Sequence, residues 1–306
     1  MLTDVESFLA HLTTSASSSP NTIAAYRNDL HQFVTYLESA RTSVGIGNLD
    51  SHFGESWSEM TPARIAGYLV FLRDKGYATT TVARKIAAVK SFFHFLSVQG
   101  IVQRDPTESL ESPRIRKSPP KSLDQVEVEA LIEQRNHDDR PEAVRDVAIL
   151  HLLWATGMRV SELVALNVAD VDANAGYVRC IDKRNRERVI PLGADAQDAI
   201  GAYLSSARPA LAKNREDEGL FVNQRGERLT RQGFWLILKG IARAAGLSSD
   251  VTPQMLRHSF AFHQLGQRTD VRSLQELLGH RSITTTQVYV QAAAARGEAA
   301  PPSDAP

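Results

Sequence analysis

LGHRSITTTQVYV, residues 278–290, gives conflicting signals for a helix, and the reading of this stretch decides how Tyr289 is presented. Ile283, Thr284, Thr285 and Thr286 are β-branched, which stiffens χ1 and lowers helix propensity. Ser282, however, is a good N-cap, and Ile283, Gln287 and Val290 recur at helical spacing. The helical reading prevails. It leaves Tyr289, the most reactive group of the stretch, on a reluctant helix that begins soon after His280.

The rest of the chain repeats the helical pattern. In residues 1–112, Ile23, Tyr26, Leu30, Phe33, Val34 and Leu37 recur at steps of three and four after Pro20-Asn21. A second helix follows Thr61-Pro62 with Ile65, Leu69 and Leu72, because proline suits the first helical position. A third, from Thr80 to Val98, has Val82, Ile86, Val89, Phe93 and Leu96 as its apolar stripe. Residues 40–60 are rich in Gly, Ser and Asn and read as loop. The expected product is an N-terminal bundle of four or five helices.

Pro113, Pro119 and Pro120 then make 113–121 a stiff, basic linker. The second domain, 122–295, is expected to hold helices near 124–134, 141–156, 194–207, 230–245, 253–266 and 270–278. One β signal stands out: YVRCI and RVIPL flank a hairpin turn at Arg184-Asn185. Residues 296–306 have the composition of a disordered tail. The fold class is therefore mainly α, a helical bundle followed by a mixed α+β domain with a small sheet or hairpin.

Composition sets limits. The 306 residues suggest about two domains. With 42% hydrophobic and 23% charged residues, the chain is of ordinary globular type. The single cysteine, Cys180, excludes an intramolecular disulfide. No apolar run approaches the roughly 20 residues of a membrane span. Asp4 and Glu6 stand where a signal peptide would be basic, so a cytoplasmic location is expected. Lys plus Arg and Asp plus Glu are both 35, a balance unlike that of many nucleic-acid-binding proteins. Local clusters differ: PRIRKSPPK (113–121) holds four basic residues and no acidic one, and RCIDKRNRER (179–188) five against two. Such clusters are equally compatible with plain solvated surface.

Several reactive groups fall at element ends, where functional residues tend to be presented. Arg159 follows Gly157 in WATGMRVSEL, Lys183 sits at the hairpin tip, and His280 follows Gly279. Gln254 and Arg257, three apart in TPQMLRHSF, share one face near the positive end of a helix, a natural anion site. Each has an ordinary alternative: Arg159 could pair with Glu162, Lys183 could be hairpin surface, and His280 could be a satisfied loop histidine. Together, two arginines, a lysine, a histidine and a tyrosine without a metal-like carboxylate cluster suit an oxyanion, and a phosphodiester is the expected one. Guanidinium groups fork onto its oxygens and stay charged.

ATGMRVSEL, IDKRNRERVIPLG, TPQMLRHSFAFHQL and LLGHRSITTTQVYV, in that order, resemble the tyrosine site-specific recombinases of the phage integrase family, in the layout of the Xer type. The resemblance covers most of 122–291, and TIAAYRNDLHQFVTYL also looks like that family's SAM-like core-binding domain. It implies a recombinase-type catalytic domain in which Tyr289 attacks a DNA phosphate, forms a 3′-phosphotyrosyl link and releases a 5′-hydroxyl. By the same resemblance Arg159 and Arg257 stabilise the transition state, Lys183 protonates the leaving oxygen, and His280 binds the phosphate and positions the reacting groups. No metal, ATP or other cofactor is implied. The implied partner is double-stranded DNA, held by four protomers on two duplexes, identical or paired with a paralogue. Chromosome-dimer resolution, plasmid resolution and mobile-element integration would all use this chemistry.

The chain departs from the pattern in places. Gln254 stands where the family usually has histidine; glutamine can hydrogen-bond a phosphate but cannot relay a proton. Slower cleavage follows, unless water or His280 removes the phenolic proton, and Gln254→His would reveal the deficit. Asp182 and Arg184 stand where glycines commonly flank the lysine, although Asn185 tolerates a left-handed turn. For DNA contacts, Arg114, Arg116 and Lys117 are expected to track phosphates, and Lys85, Lys90, Arg231 and Lys239 to lie on helices that could enter the major groove. A family member with impaired strand exchange, acting as partner or regulator, remains an alternative. A relaxing enzyme of the type IB topoisomerase kind shares the chemistry but fits the compact layout less well.

Overall fold

The computed structural model describes residues 1–14, 18–43, 56–113, 118–136, 138–182, 185–213, 218–247 and 250–296. The chain divides into two compact units, 1–117 and 118–306.

The first unit contains α1 (Leu2–Thr14), α2 (Pro20–Ser43), α3 (Pro62–Asp74) and α4 (Thr79–Val98), with a 3₁₀ turn at Trp57–Glu59. Pro62 opens α3, where its missing N–H costs nothing. The stripe Val82, Ile86, Val89, Phe93 and Leu96 is buried as its spacing predicts. These side chains meet Phe8, Phe33, Trp57, Tyr68 and Phe92 in one core. The Trp57 ring meets Phe92 edge-on at 4.9 Å, and its Nε1 donates to Asp4 at 3.1 Å. α2 continues through Ser43, four residues into the stretch expected as loop; 44–55 lie outside the described residues.

The second unit packs α5 (Gln125–Asn136), α6 (Pro141–Thr156), α7 (Val160–Leu163), α8 (Ala194–Ala202), α9 (Arg208–Ala212), α10 (Arg231–Ala244), α11 (Pro253–Gly266), α12 (Val271–Leu278) and α13 (Ile283–Ala295) with a small sheet. The sheet is antiparallel, β1 (Val171–Asp172), β2 (Tyr177–Ile181) and β3 (Glu187–Pro191) in that order. Val178, Cys180 and Ile190 face the core, as period-two alternation requires. β1, only two residues long, has no period to read. The single helix expected over 194–207 is instead interrupted by a π turn at Tyr203–Ala207. Pro209 follows, and its ring has no N–H for the carbonyl four residues back, so the helix widens there.

α13 forms in spite of its β-branched start. Ser282 accepts the Thr284 N–H, a cap generally contributing about 1 kcal/mol, and Thr286, Tyr289, Ala292 and Ala293 are buried. They pack on Phe260, Phe262, Leu265, Leu274 and Leu278. The buried face is thus not the Ile283–Gln287–Val290 face of the sequence reading; Ile283 is exposed. Tertiary packing, rather than propensity, holds this helix. Arg296, expected to start the tail, is anchored: it donates to Ser122 Oγ at 3.0 Å and Pro120 O at 3.2 Å, and covers the Phe262 ring. Residues 297–306 lie outside the described residues.

Candidate active site

Two helices end in left-handed glycines, and these ends set two arginines. Gly157 (φ 56°) terminates α6 and Gly279 (φ 61°) terminates α12, a conformation open to glycine at little cost. A Cβ on Gly157 would also collide with the Phe260 ring. C-terminal carbonyls have no partner within their helix and bear partial negative charge. Arg257, on the first turns of α11, donates to Gly157 O and Leu278 O, each at 2.6 Å. Arg159 donates to Gly279 O at 3.3 Å. The two guanidiniums therefore dock on adjacent residues of the same helix end. Burial, aided by the charge of Arg159, pushes Arg257 down to about 10, which still leaves it cationic at neutral pH. A guanidinium has five N–H donors, and Arg257 commits two of them to these carbonyls.

Glu162 frames Arg159. Its buried carboxylate accepts from the Arg159 backbone N–H at 2.7 Å and from Arg159 Nη1 at 3.1 Å. Arg188, from β3, forks onto the same carboxylate at 2.9 and 3.0 Å and donates to Leu277 O at 3.2 Å. Burial alone would raise the Glu162 carboxyl, but the hydrogen bonds and charge of Arg188 and Arg159 hold it below its usual range. The ordinary alternative for Arg159, pairing with Glu162, thus coexists with an orientation toward Gly279.

Tyr289 lies against two histidines. Its hydroxyl is 2.8 Å from His258 Nδ1, and its ring stacks parallel to His280 at 6.2 Å. Burial raises the phenol above its ordinary value, while the charges of Arg257 and Arg159 pull it back down. His280 Nδ1 is 2.9 Å from Thr286 Oγ1, three residues before the tyrosine on α13. Burial, then Arg257, Arg159, His258 and Arg188, lower the His280 imidazole to about 4, so it is neutral at physiological pH. Arg159, Arg257, His280 and Tyr289 thus share one electrostatic neighbourhood.

The other expected residues fall elsewhere. Gln254 is exposed and borders a depression of about 430 Å³ with His258, Lys239, Lys121 and Asp250. Arg231 is exposed on α10, and Lys239 sits 4.1 Å from the centre of the Trp235 ring. Lys90 is half-buried. Lys85 is a correction: it is 7% exposed, with its ammonium 2.8 Å from buried Asp29 and so unavailable to a groove. Lys183, Arg114, Arg116 and Lys117 lie outside the described residues. Two residues beyond Lys183, Asn185 takes the left-handed conformation (φ 59°), and Arg186 hydrogen-bonds Asp182. Among the described residues no group of three or more His, Cys, Asp or Glu could hold a metal, and no helix is long and apolar enough to cross a membrane.

Sequence reasoning missed His258 and Arg188 at this site. His258 adjoins Arg257, and its place one helical turn from Gln254 was the available signal. Its contact to Tyr289 spans 31 residues, which no local period reveals.

Comparison with known proteins places the chain in a family. Residues 121–296 match the phage integrase family, and residues 5–100 match the phage integrase N-terminal SAM-like domain. A tyrosine recombinase XerC from Roseiflexus castenholzii is 50% identical over 287 residues, covering 93% of this chain and 87% of the relative. A tyrosine recombinase XerD from Oceanobacillus iheyensis is 40% identical, covering 95% of this chain and 94% of the relative. The fold is similar to that of the XerH site-specific recombinase bound to its difH substrate, with a TM-score of 0.70 at 24% identity over 87% of this chain and 75% of that one. The chain belongs to the phage integrase family and is a tyrosine recombinase enzyme.

Proposed function

We propose that this protein is a site-specific DNA recombinase that cuts and rejoins strands through a 3′-phosphotyrosyl intermediate, with Tyr289 as nucleophile. The observation that supports this most is the docking of Arg159 and Arg257 on Gly279 and Leu278, beside His280 and within the electrostatic reach of Tyr289. A scissile phosphate at these guanidiniums would have its non-bridging oxygens stabilised as negative charge develops. A phenol near its free pKa of about 10 is a weak nucleophile at neutral pH, and two adjacent cations favour its phenolate. His280, neutral and tethered to Thr286, serves as a hydrogen-bond donor to the phosphate rather than as a cation. Lys183 protonates the departing 5′-oxygen. The covalent link keeps the phosphodiester's energy, so another 5′-hydroxyl reverses the step.

The partner is double-stranded DNA. Four protomers act on two duplexes, either identical or with a paralogue, in the cytoplasm. Relatives named XerC and XerD at 40–50% identity support this reading. The 118–306 unit approaches DNA with Arg231 and Lys239, and Arg114, Arg116 and Lys117 neutralise phosphates.

The test uses a nicked duplex bearing the site recovered by footprinting a genome-fragment pool. A covalent adduct that Tyr289→Phe abolishes is the expected result. A gel shift without adduct would support the binding-only alternative, which Gln254 alone favours.

A further inference from the structure

We propose that His258 is the catalytic proton acceptor for Tyr289, in the position of duty that Gln254 cannot fill. The inference rests on the proposed function and deepens it. It starts from one contact: the Tyr289 hydroxyl lies 2.8 Å from His258 Nδ1, a hydrogen-bond distance to a reacting atom.

The other candidates serve less well. Gln254 is exposed and its amide takes up no proton at neutral pH. His280 presents Nδ1 to Thr286 at 2.9 Å, and at about 4 it is a weak base. Lys183 has the opposite duty, giving a proton to the departing 5′-oxygen. His258 remains, one turn along α11 from Gln254, on the same depression.

The step balances as follows. The phenolic oxygen bonds to phosphorus, its proton passes to His258 Nδ1, the phosphorus–5′-oxygen bond breaks, and the leaving oxygen takes a proton from Lys183. Religation returns the His258 proton to the phenol. In the free chain burial and the adjacent Arg257 charge both disfavour the imidazolium. A phosphodiester anion docking between Arg159 and Arg257 offsets that charge, so the imidazole becomes more basic when substrate is bound. Around the ring, Arg257 on its own helix, His280 and Tyr289 from the neighbouring segments, and Lys121, Lys239 and Asp250 on the depression are the ionisable groups.

Single-turnover cleavage of the nicked duplex by the full chain tests this with His258→Asn and His258→Phe. Asparagine can accept the phenolic hydrogen bond but not the proton. Both variants should therefore cleave about 100-fold more slowly or worse. A 5′-bridging phosphorothiolate, whose sulfur leaves without a proton, should rescue Lys183→Ala but neither His258 variant. Near-full activity of His258→Asn would overturn the inference and leave a positioning role only, with the function intact. No adduct from the unmodified protein would instead overturn the function, and this inference with it. Where a variant fails to fold, ¹⁵N shifts of His258 in the unmodified chain decide: an unprotonated Nδ1 is expected, and a protonated one contradicts the proposal.

Discussion

Two buried cations, one in each unit, are equally hidden and oppositely satisfied. Lys85 and Arg257 are each 7% exposed. Lys85 meets a carboxylate, Asp29, itself 1% exposed and shared with Arg84, and it also approaches the Tyr77 ring. Arg257 gives its hydrogen bonds to carbonyl dipoles, and the carboxylate that acts on it through space, Glu162, is bound by Arg159 and Arg188 instead. A carboxylate cancels the charge and makes the cluster part of the architecture. Carbonyl dipoles orient a guanidinium while leaving its net charge in place, and a net charge held in a half-dry site attracts an anion. On the proposed function, the same burial serves structure in one unit and chemistry in the other.

Removing each partner should separate the two roles. Asp29→Ala strands Lys85 and is expected to cost about 3–5 kcal/mol in urea unfolding, with DNA cleavage per folded molecule unchanged. If cleavage falls as far as stability, the division fails. Arg257→Ala should do the converse, slowing adduct formation by about 10²–10³-fold while DNA still shifts in a gel. Gly279→Ala comes next: the left-handed backbone costs about 1–2 kcal/mol, and a Cβ would stand 2.9 Å from Arg188 Nη1. Its effect on cleavage should exceed its effect on melting, because Gly279 O and Leu278 O orient the two arginines proposed to hold the phosphate. Ser282→Ala, at the cap of α13, is worth about 1 kcal/mol and should appear as faster amide exchange along that helix.

The smallest expected effect is a pH slope. The folded His280 stands at about 4 against an ordinary 6.5, so below pH 6.5 the unfolded chain binds a proton that the folded chain refuses. Stability should therefore fall as pH drops from 6.5 toward 4, and His280→Asn should flatten part of the slope. No change of slope between the two proteins would argue against the buried neutral imidazole. Above 6.5 both states are neutral and the term vanishes.

What could be read in advance followed from local rules. Caps and apolar spacing marked α3, α4, α6 and α11, and the alternation of YVRCI and RVIPL marked the hairpin, because these signals lie within a few residues of one another. The candidate site residues Arg159, Arg257, His280 and Tyr289 were proposed through family motifs, and their shared neighbourhood became visible only in the fold. Lys85 was misread although it falls three residues after Val82 and four before Val89, on the apolar stripe itself. Its counter-charge, Asp29, is 56 residues away, and only tertiary contact identifies it. The same holds for His258 with Tyr289 and for Arg188 with Glu162, whose partner is 26 residues away. Long-range polar pairing has no period, whereas helices do.

The most direct test replaces the charge rather than the protein. Cleavage by the unmodified chain and by Arg159→Ala and Arg257→Ala is measured on duplexes whose scissile phosphate is either native or a neutral methylphosphonate. If both guanidiniums serve one phosphate oxyanion, the defect of each variant should shrink by about tenfold or more on the neutral substrate, where there is less charge to stabilise. Equal defects on both substrates would mean that the arginines hold the helix ends and never share a phosphate.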